Sequence, residues 1–107
     1  MKSIINLTPH EIVVLNDQNE VVFKLPSEGV ARCKTEKTVV GYLNGIPVKK
    51  TRFGAIEGLP QAQKGVAYIV SAITAQAAVD RDDLYIVEDT VRDDAGRIIG
   101  CKSFGKI

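Results

Sequence analysis

The dipeptide Asn44-Gly45 lies between two runs of β-forming residues, and it constrains the fold more than any other feature of the chain. A type I′ turn needs a positive φ at both central positions, which Asn and Gly adopt at little cost. The flanking runs, Thr38–Leu43 and Ile46–Phe53, are therefore predicted to form a β-hairpin. Pro47 lacks a backbone N–H donor and indicates an edge strand.

Two further hairpins are predicted from the same kind of pattern. The runs Ile12–Leu15 and Val21–Leu25 flank the turn-forming residues 16–19. Near the end of the chain, residues 93–96 join a strand at Thr90–Arg92 to a strand at Arg97–Ser103. The alternating segment Val30–Thr35 is predicted to be one more strand.

One strand–helix–strand unit lies late in the chain. Val66–Val70 is almost entirely apolar, which indicates a central strand covered on both faces. Alanines favour a helix over Ile73–Val79, and either Ser71 or Thr74 is a suitable cap. Leu84–Val87 is the next strand, and the short connection leaves open whether these two strands are neighbours.

These elements predict an α+β fold, a mostly antiparallel sheet of β-hairpins with one short helix. The chain has 107 residues, of which 45% are apolar and 25% are charged. Those values are typical of one globular domain, here residues 1–107, with a core of its own.

The charge and the N-terminal segment bear on partners and location. Fourteen basic and thirteen acidic residues give a net charge of +1, which provides no long-range field for long nucleic acids or acidic membranes. Near the N-terminus, Lys2 precedes only two adjacent apolar residues, too few for the core of a signal peptide. No apolar run is long enough to span a membrane. The expected location is the cytoplasm.

Motifs for catalysis, cofactors and metals are missing from the sequence. The two cysteines, Cys33 and Cys101, lack metal-ligand spacing and are predicted to be buried free thiols. The acidic residues of 80–83 lack the spacing of a calcium loop. His10 is the single histidine, and one titratable group seldom makes a catalytic site. The sequence therefore predicts no enzyme activity, no cofactor and no metal.

Basic residues and hydroxyls at strand ends are the candidates for binding. If the sheet brings Arg32, Ser71 and Arg92 together, they form a phosphate-sized pocket through charge-assisted hydrogen bonds. Ordinary solvent exposure and salt bridges to aspartates explain most of the basic residues equally well. Arg81 lies among three aspartates, where ion pairing is the stronger interpretation. The full set of predicted ligand-binding residues is Arg32, Ser71, Arg92, His10, Arg81 and Tyr68.

Two stretches carry a resemblance to a known group of proteins. One is Asn6-Leu7-Thr8-Pro9-His10, and the other runs from Gly58-Leu59-Pro60 through Arg81-Asp82-Asp83-Leu84 to Gly96-Arg97-Ile98-Ile99-Gly100-Cys101. The chain resembles a family of small uncharacterised proteins encoded by phages and prophages. The resemblance covers nearly the whole chain and implies a viral accessory protein that acts inside a bacterium.

That context favours a non-enzymatic protein that sequesters a nucleotide-derived immune messenger, such as a cyclic nucleotide or an ADP-ribose derivative. Tyr42, Phe53, Tyr68 and Tyr85 are available as an aromatic wall for the base, and a place in the core explains each of them equally well. The alternatives are a protein that inhibits a host defence enzyme or effector, and an enzyme that degrades the messenger. Unpaired sheet edges in so small a domain predict a homo-oligomer, most simply a dimer.

Overall fold

The computed structural model describes residues 3–107, so Met1 and Lys2, which begin the predicted domain, lie outside the described residues. Residues 3–107 form eight strands and one helix. The elements are β1 (Ser3–Asn6), β2 (Ile12–Leu15), β3 (Val21–Leu25), β4 (Arg32–Leu43), β5 (Ile46–Glu57), β6 (Val66–Ile69), α1 (Ala72–Ala77), β7 (Leu84–Arg92) and β8 (Ile98–Gly105). None of the helical structure in this range has the length and apolar character that crossing a membrane requires.

Six strands form one mixed sheet in the order β1-β6-β7-β8-β2-β3. The chain is β-rich with antiparallel hairpins and one short helix, as the sequence predicts. The expectation of a mostly antiparallel sheet holds only in part, because β1–β6, β6–β7 and β2–β8 are parallel pairs. Turn residues specify the orientation of consecutive strands only, so they carry no information about strands that pair across long stretches of chain.

The predicted strand–helix–strand unit is present, and its two strands are neighbours. Tyr68 pairs with Leu84 and Ile69 with Tyr85, in parallel. The connecting segment, residues 70–83, has the dozen or so residues that a parallel crossover needs. Within it the Ser71 Oγ accepts a hydrogen bond from the Thr74 N–H at 3.4 Å, which identifies Ser71 as the helix N-cap.

The core lies on both sides of β6, which confirms the prediction of a covered central strand. Tyr68 and Val70 belong to a cluster with Leu7, Ala31, Ala75, Ala78 and Leu84. Ile69, whose side chain alternates to the opposite face, packs with Ile12 and Cys101. Tyr68 and Ile69 are each only 1% exposed, so β6 is buried on both faces.

The strands β4 and β5 form a separate two-stranded sheet, called here the arm (residues 32–57). The turn at its tip is as predicted, with φ values of 50° at Asn44 and 82° at Gly45. The strand predicted at Val30–Thr35 and the one at Thr38–Leu43 are a single strand, because the pairing continues through the intervening residues. The arm therefore extends well beyond the predicted hairpin.

Both cysteines are free, and their burial differs. Cys101 is buried as predicted, and burial raises the pKa of its thiol. Cys33 is only half-buried, because it lies at the base of the arm, where one face of the strand is open to solvent. The prediction of two buried thiols is therefore wrong for Cys33.

Candidate functional site

A groove opens at the sheet edge where β1 and β6 end. These strands are parallel neighbours with Asn6 opposite Ile69, so the residues that follow each strand emerge at the same edge. Thr8 and Ser71 are among those residues. The carboxyl ends of parallel strands are a common place for ligands in sheet proteins, and the topology therefore makes this edge a candidate site.

The groove has a volume of about 360 Å³ and is called here the Arg32 groove. Its lining combines hydroxyls, one cation and aliphatic side chains. The polar residues are Thr8, Arg32, Ser71 and Thr74, and the apolar ones include Leu7, Pro9, Val30 and Ile73. The volume falls within the range of roughly 300–1,000 Å³ that small-molecule pockets occupy.

The loop that follows β1 is held in place by the buried side chain of Asn6. Its Nδ2 donates to the carbonyl oxygens of His10 at 2.8 Å and Leu25 at 2.9 Å. Its Oδ1 accepts from the Thr8 N–H at 2.9 Å and from the Thr8 hydroxyl at 2.6 Å. Asn6 therefore fixes the position of Thr8 on one wall of the groove.

Hydroxyl groups connect the opposite wall to the base of the arm. The Thr74 Oγ1 donates to the carbonyl of Ala31 at 3.4 Å, and the Ser71 Oγ lies 3.0 Å from the Thr74 Oγ1. Since the Thr74 proton goes to Ala31, Ser71 donates to Thr74. The Ser71 hydroxyl can therefore donate to a ligand only by turning away from Thr74.

Arg32 supplies the positive charge of the groove. It is opposite Glu57 in the register of the arm, but the Glu57 carboxylate lies 3.3 Å from the Nζ of Lys34. Within residues 3–107, Arg32 forms no ion pair shorter than 4.0 Å. The exposed Arg32 guanidinium is therefore available for an anionic ligand.

The structure brings Arg32 and Ser71 together, but it does not add Arg92 to them. The Arg92 Nη1 donates to the carbonyl of Gly96 at 2.8 Å, in the turn between β7 and β8. β7 runs parallel to β6 only at Leu84 and Tyr85 and then continues beyond it. Arg92 lies seven residues past Tyr85, roughly 23 Å along the strand, so the predicted three-residue convergence does not form.

Tyr68 and Arg81, which the sequence predicts to bind ligand, both make contacts within the protein instead. Tyr68 is packed in the core and its hydroxyl donates to the carbonyl of Gln61 at 3.5 Å, so it provides no exposed aromatic wall. The Arg81 Nε and Nη2 donate to the two carboxylate oxygens of Asp83 at 2.8 and 2.7 Å. Hydrogen bonding to Asp83 raises the pKa of Arg81 further. The geometry agrees with the ion-pairing interpretation.

The other aromatic candidates also lie away from the Arg32 groove. Tyr42 is 72% exposed at the tip of the arm, and Phe53 lies on β5. The Nζ of Lys106 lies 5.2 Å above the ring of Tyr85. The apolar wall of the groove is therefore aliphatic, formed in part by Pro9 and Ile73.

His10 lines a second groove, called here the His10 groove, with a volume of about 390 Å³. This groove crosses the sheet over β2, β7 and β8, and most of its lining surface is apolar. The lining includes Thr8, His10, Glu11, Ile12, Val13, Val87, Thr90, Ile98 and Ile99. Thr8 borders both grooves, so the loop of residues 8–10 separates a basic groove from an apolar one.

Sequence reasoning missed Thr8, Pro9 and Ile73 as lining residues. The signal that locates Thr8 is the parallel pairing of β1 with β6, and the four-residue β1 is too short to predict that pairing from its pattern. Among the described residues, no three His, Cys, Asp or Glu side chains cluster to form a metal site.

No family model matches the chain, and no curated protein or solved structure matches its sequence or fold. The geometry of the two grooves and the arm is therefore the basis for assigning a function.

Proposed function

We propose that the protein binds and sequesters a nucleotide-derived immune messenger in the Arg32 groove, as a phage-type counter-defence protein in the cytoplasm of a bacterium. The observation that carries the proposal is the position of the Arg32 guanidinium, which has no ion-pair partner among residues 3–107, beside three hydroxyl residues and an aliphatic wall. Sequestration requires only binding, so no group in the groove has to take or give a proton.

The chemistry of the lining favours a ligand with an anionic group and an apolar ring. An arginine fork meets two phosphate oxygens at once and remains charged when it is desolvated. Pro9 and Ile73 are exposed on the same groove and offer apolar surface to a base. A cyclic nucleotide or an ADP-ribose derivative combines these features in a molecule that suits a volume of about 360 Å³.

Calorimetric titration of the full chain against a panel of cyclic dinucleotides and ADP-ribose derivatives tests the proposal. We expect at least one compound to bind with a Kd below about 10 μM, which corresponds to roughly 7 kcal/mol. Weaker binding across the whole panel would contradict the proposal. Heat release of the bound compound, followed by chromatography, separates the alternatives: intact recovery supports sequestration, and cleaved product identifies an enzyme.

A further inference from the structure

The arm leaves a large apolar surface uncovered at its tip. Each of its strands has twelve residues, and almost all of them are exposed. Seven large apolar side chains of the arm are between 42% and 72% exposed: Val39, Val40, Tyr42, Leu43, Ile46, Val48 and Phe53. An exposed apolar patch of this kind on a small chain marks an interaction surface.

The arm has little support from the rest of the chain. Its base contacts α1, and Ile56 packs against the core. The radius of gyration is 16.5 Å, whereas a compact chain of this length has about 13 Å. A two-stranded hairpin is only marginally stable alone in water, so a surface from outside this chain is needed to cover the tip.

Apolar residues lie on both faces of the tip, which restricts what can cover it. The register places Leu43 opposite Ile46 on one face and Tyr42 opposite Pro47 on the other. Val48 and Val39 extend the two faces toward the base. A flat surface would cover one face only, whereas a groove encloses both.

The charge distribution indicates that the arm binds the rest of a second copy, called here the body (all residues outside 32–57), rather than a second arm. Residues 32–57 contain six basic and two acidic residues, a net charge of +4. The rest of the chain contains eight basic and eleven acidic residues, a net charge of −3. Pairing two arms brings like charges together, whereas an arm on the body of another copy brings opposite charges together.

The His10 groove is the apolar groove that the body offers. Its aliphatic lining includes Val87, Ile98 and Ile99, which are 37%, 57% and 45% exposed. Glu11 lies on the same lining and provides a negative charge for the basic flank of an arm. Both partners of the contact are therefore present on one chain.

We propose that the arm tip of one copy inserts into the His10 groove of a second copy, and that the exchange is reciprocal. An arm of two twelve-residue strands reaches about 40 Å, which is enough to cross a neighbouring body. A two-fold axis places each arm tip in the His10 groove of the other copy, so the assembly closes as a dimer. This interface is independent of the ligand proposed for the Arg32 groove.

Light scattering coupled to gel filtration of three variants tests the exchange. Wild-type protein is expected at twice 11.6 kDa. The arm variant, Leu43→Asp with Ile46→Asp, and the groove variant, Ile98→Asp, are each expected at 11.6 kDa. Val22→Asp is the matched control, since Val22 is 56% exposed on the edge strand β3, outside the proposed contact, and should remain dimeric.

Mixing the arm variant with the groove variant distinguishes the modes of association. The intact arm of the groove variant fits the intact groove of the arm variant. A mixed dimer should therefore form although neither variant dimerises alone. Failure to form a mixed dimer would overturn the arm–groove contact, and a groove variant that stays dimeric alone would overturn it and indicate arm–arm pairing. A monomeric wild type, or a monomeric Val22→Asp, would also overturn the proposal, and an unchanged melting temperature for each variant excludes loss of folding.

Discussion

The Asn6 Nδ2 donates to the carbonyl of Leu25 across 2.9 Å and thereby joins the end of β1 to the end of β3. Asn6 is fully buried, and its side chain makes four hydrogen bonds. The first residue of the distinctive Asn6-Leu7-Thr8-Pro9-His10 stretch is therefore structural. Through Thr8, it also shapes the wall that the two grooves share.

Replacing Asn6 by Ala is expected to lower the free energy of unfolding by about 2–4 kcal/mol, because buried carbonyl groups lose their donor. Urea denaturation measures the change. Asn16→Ala is the matched control: the Asn16 Oδ1, like that of Asn6, accepts two hydrogen bonds, here from the backbone N–H groups of Gln18 and Glu20, but at an exposed turn, where water replaces it. An equal loss in both variants would contradict the special role of Asn6.

Gly58 closes the base of the arm at a place where no side chain fits. Its φ is 80°, and a Cβ added there would lie 2.3 Å from the carbonyl oxygen of Val30. Gly65 has nearly the same φ, 78°, but a Cβ there would meet nothing within 4 Å. The two positions separate the cost of the backbone conformation from the cost of the clash.

Gly65→Ala should therefore cost about 1–2 kcal/mol, the penalty for a left-handed residue with a side chain. Gly58→Ala should cost more than that, because the backbone of the arm must also move. Thermal denaturation of both variants measures the difference. Equal melting temperatures would show that the close approach to Val30 contributes nothing.

The two thiols should differ in reactivity. Cys33 is half-buried and Cys101 is buried. A disulfide reagent should therefore modify Cys33 quickly and Cys101 only as the protein opens. Cys33→Ser should remove the fast phase and Cys101→Ser the slow one. A fast reaction at Cys101 in the folded protein would contradict its position in the core.

Burial also makes Cys101 a source of pH dependence. Its pKa is raised in the folded state, so the unfolded chain loses this proton first as the pH rises. The contribution of Cys101 to stability is complete below the ordinary thiol pKa and declines as the pH rises through that value. Cys101→Ala should flatten the decline in urea midpoints between about pH 8 and pH 10. An unchanged slope would contradict this prediction.

The sequence predicts local structure well here because local structure depends on nearby residues. Asn44 and Gly45 set the turn of the arm, and Ser71 caps the helix, each through its own backbone or side chain. The position of Arg92 depends instead on how far β7 continues beyond β6. Strand order and overhang follow from contacts between distant segments, so no local pattern indicates that Arg92 lies away from Arg32.

The exposure of the arm is a second feature that the sequence does not predict. Its strands are predicted from their β-forming residues, but the exposure of Tyr42 and Leu43 is not, since an apolar strand is ordinarily expected to face a core. The mixture of apolar and basic residues on β5 is compatible with either a covered or an open hairpin. Only the tertiary structure shows that the hairpin is open.

The most direct test of the central claim is calorimetry of Arg32→Ala and Arg92→Ala with the panel compound that binds wild-type protein most tightly. We expect Arg32→Ala to lose about 10- to 100-fold in affinity, equivalent to roughly 1.5–3 kcal/mol, with an unchanged melting temperature. We expect Arg92→Ala to bind like wild type, because the Arg92 side chain contacts the Gly96 carbonyl outside the groove. Unaltered affinity in Arg32→Ala, or an equal loss in both variants, would contradict the assignment of the ligand to the Arg32 groove.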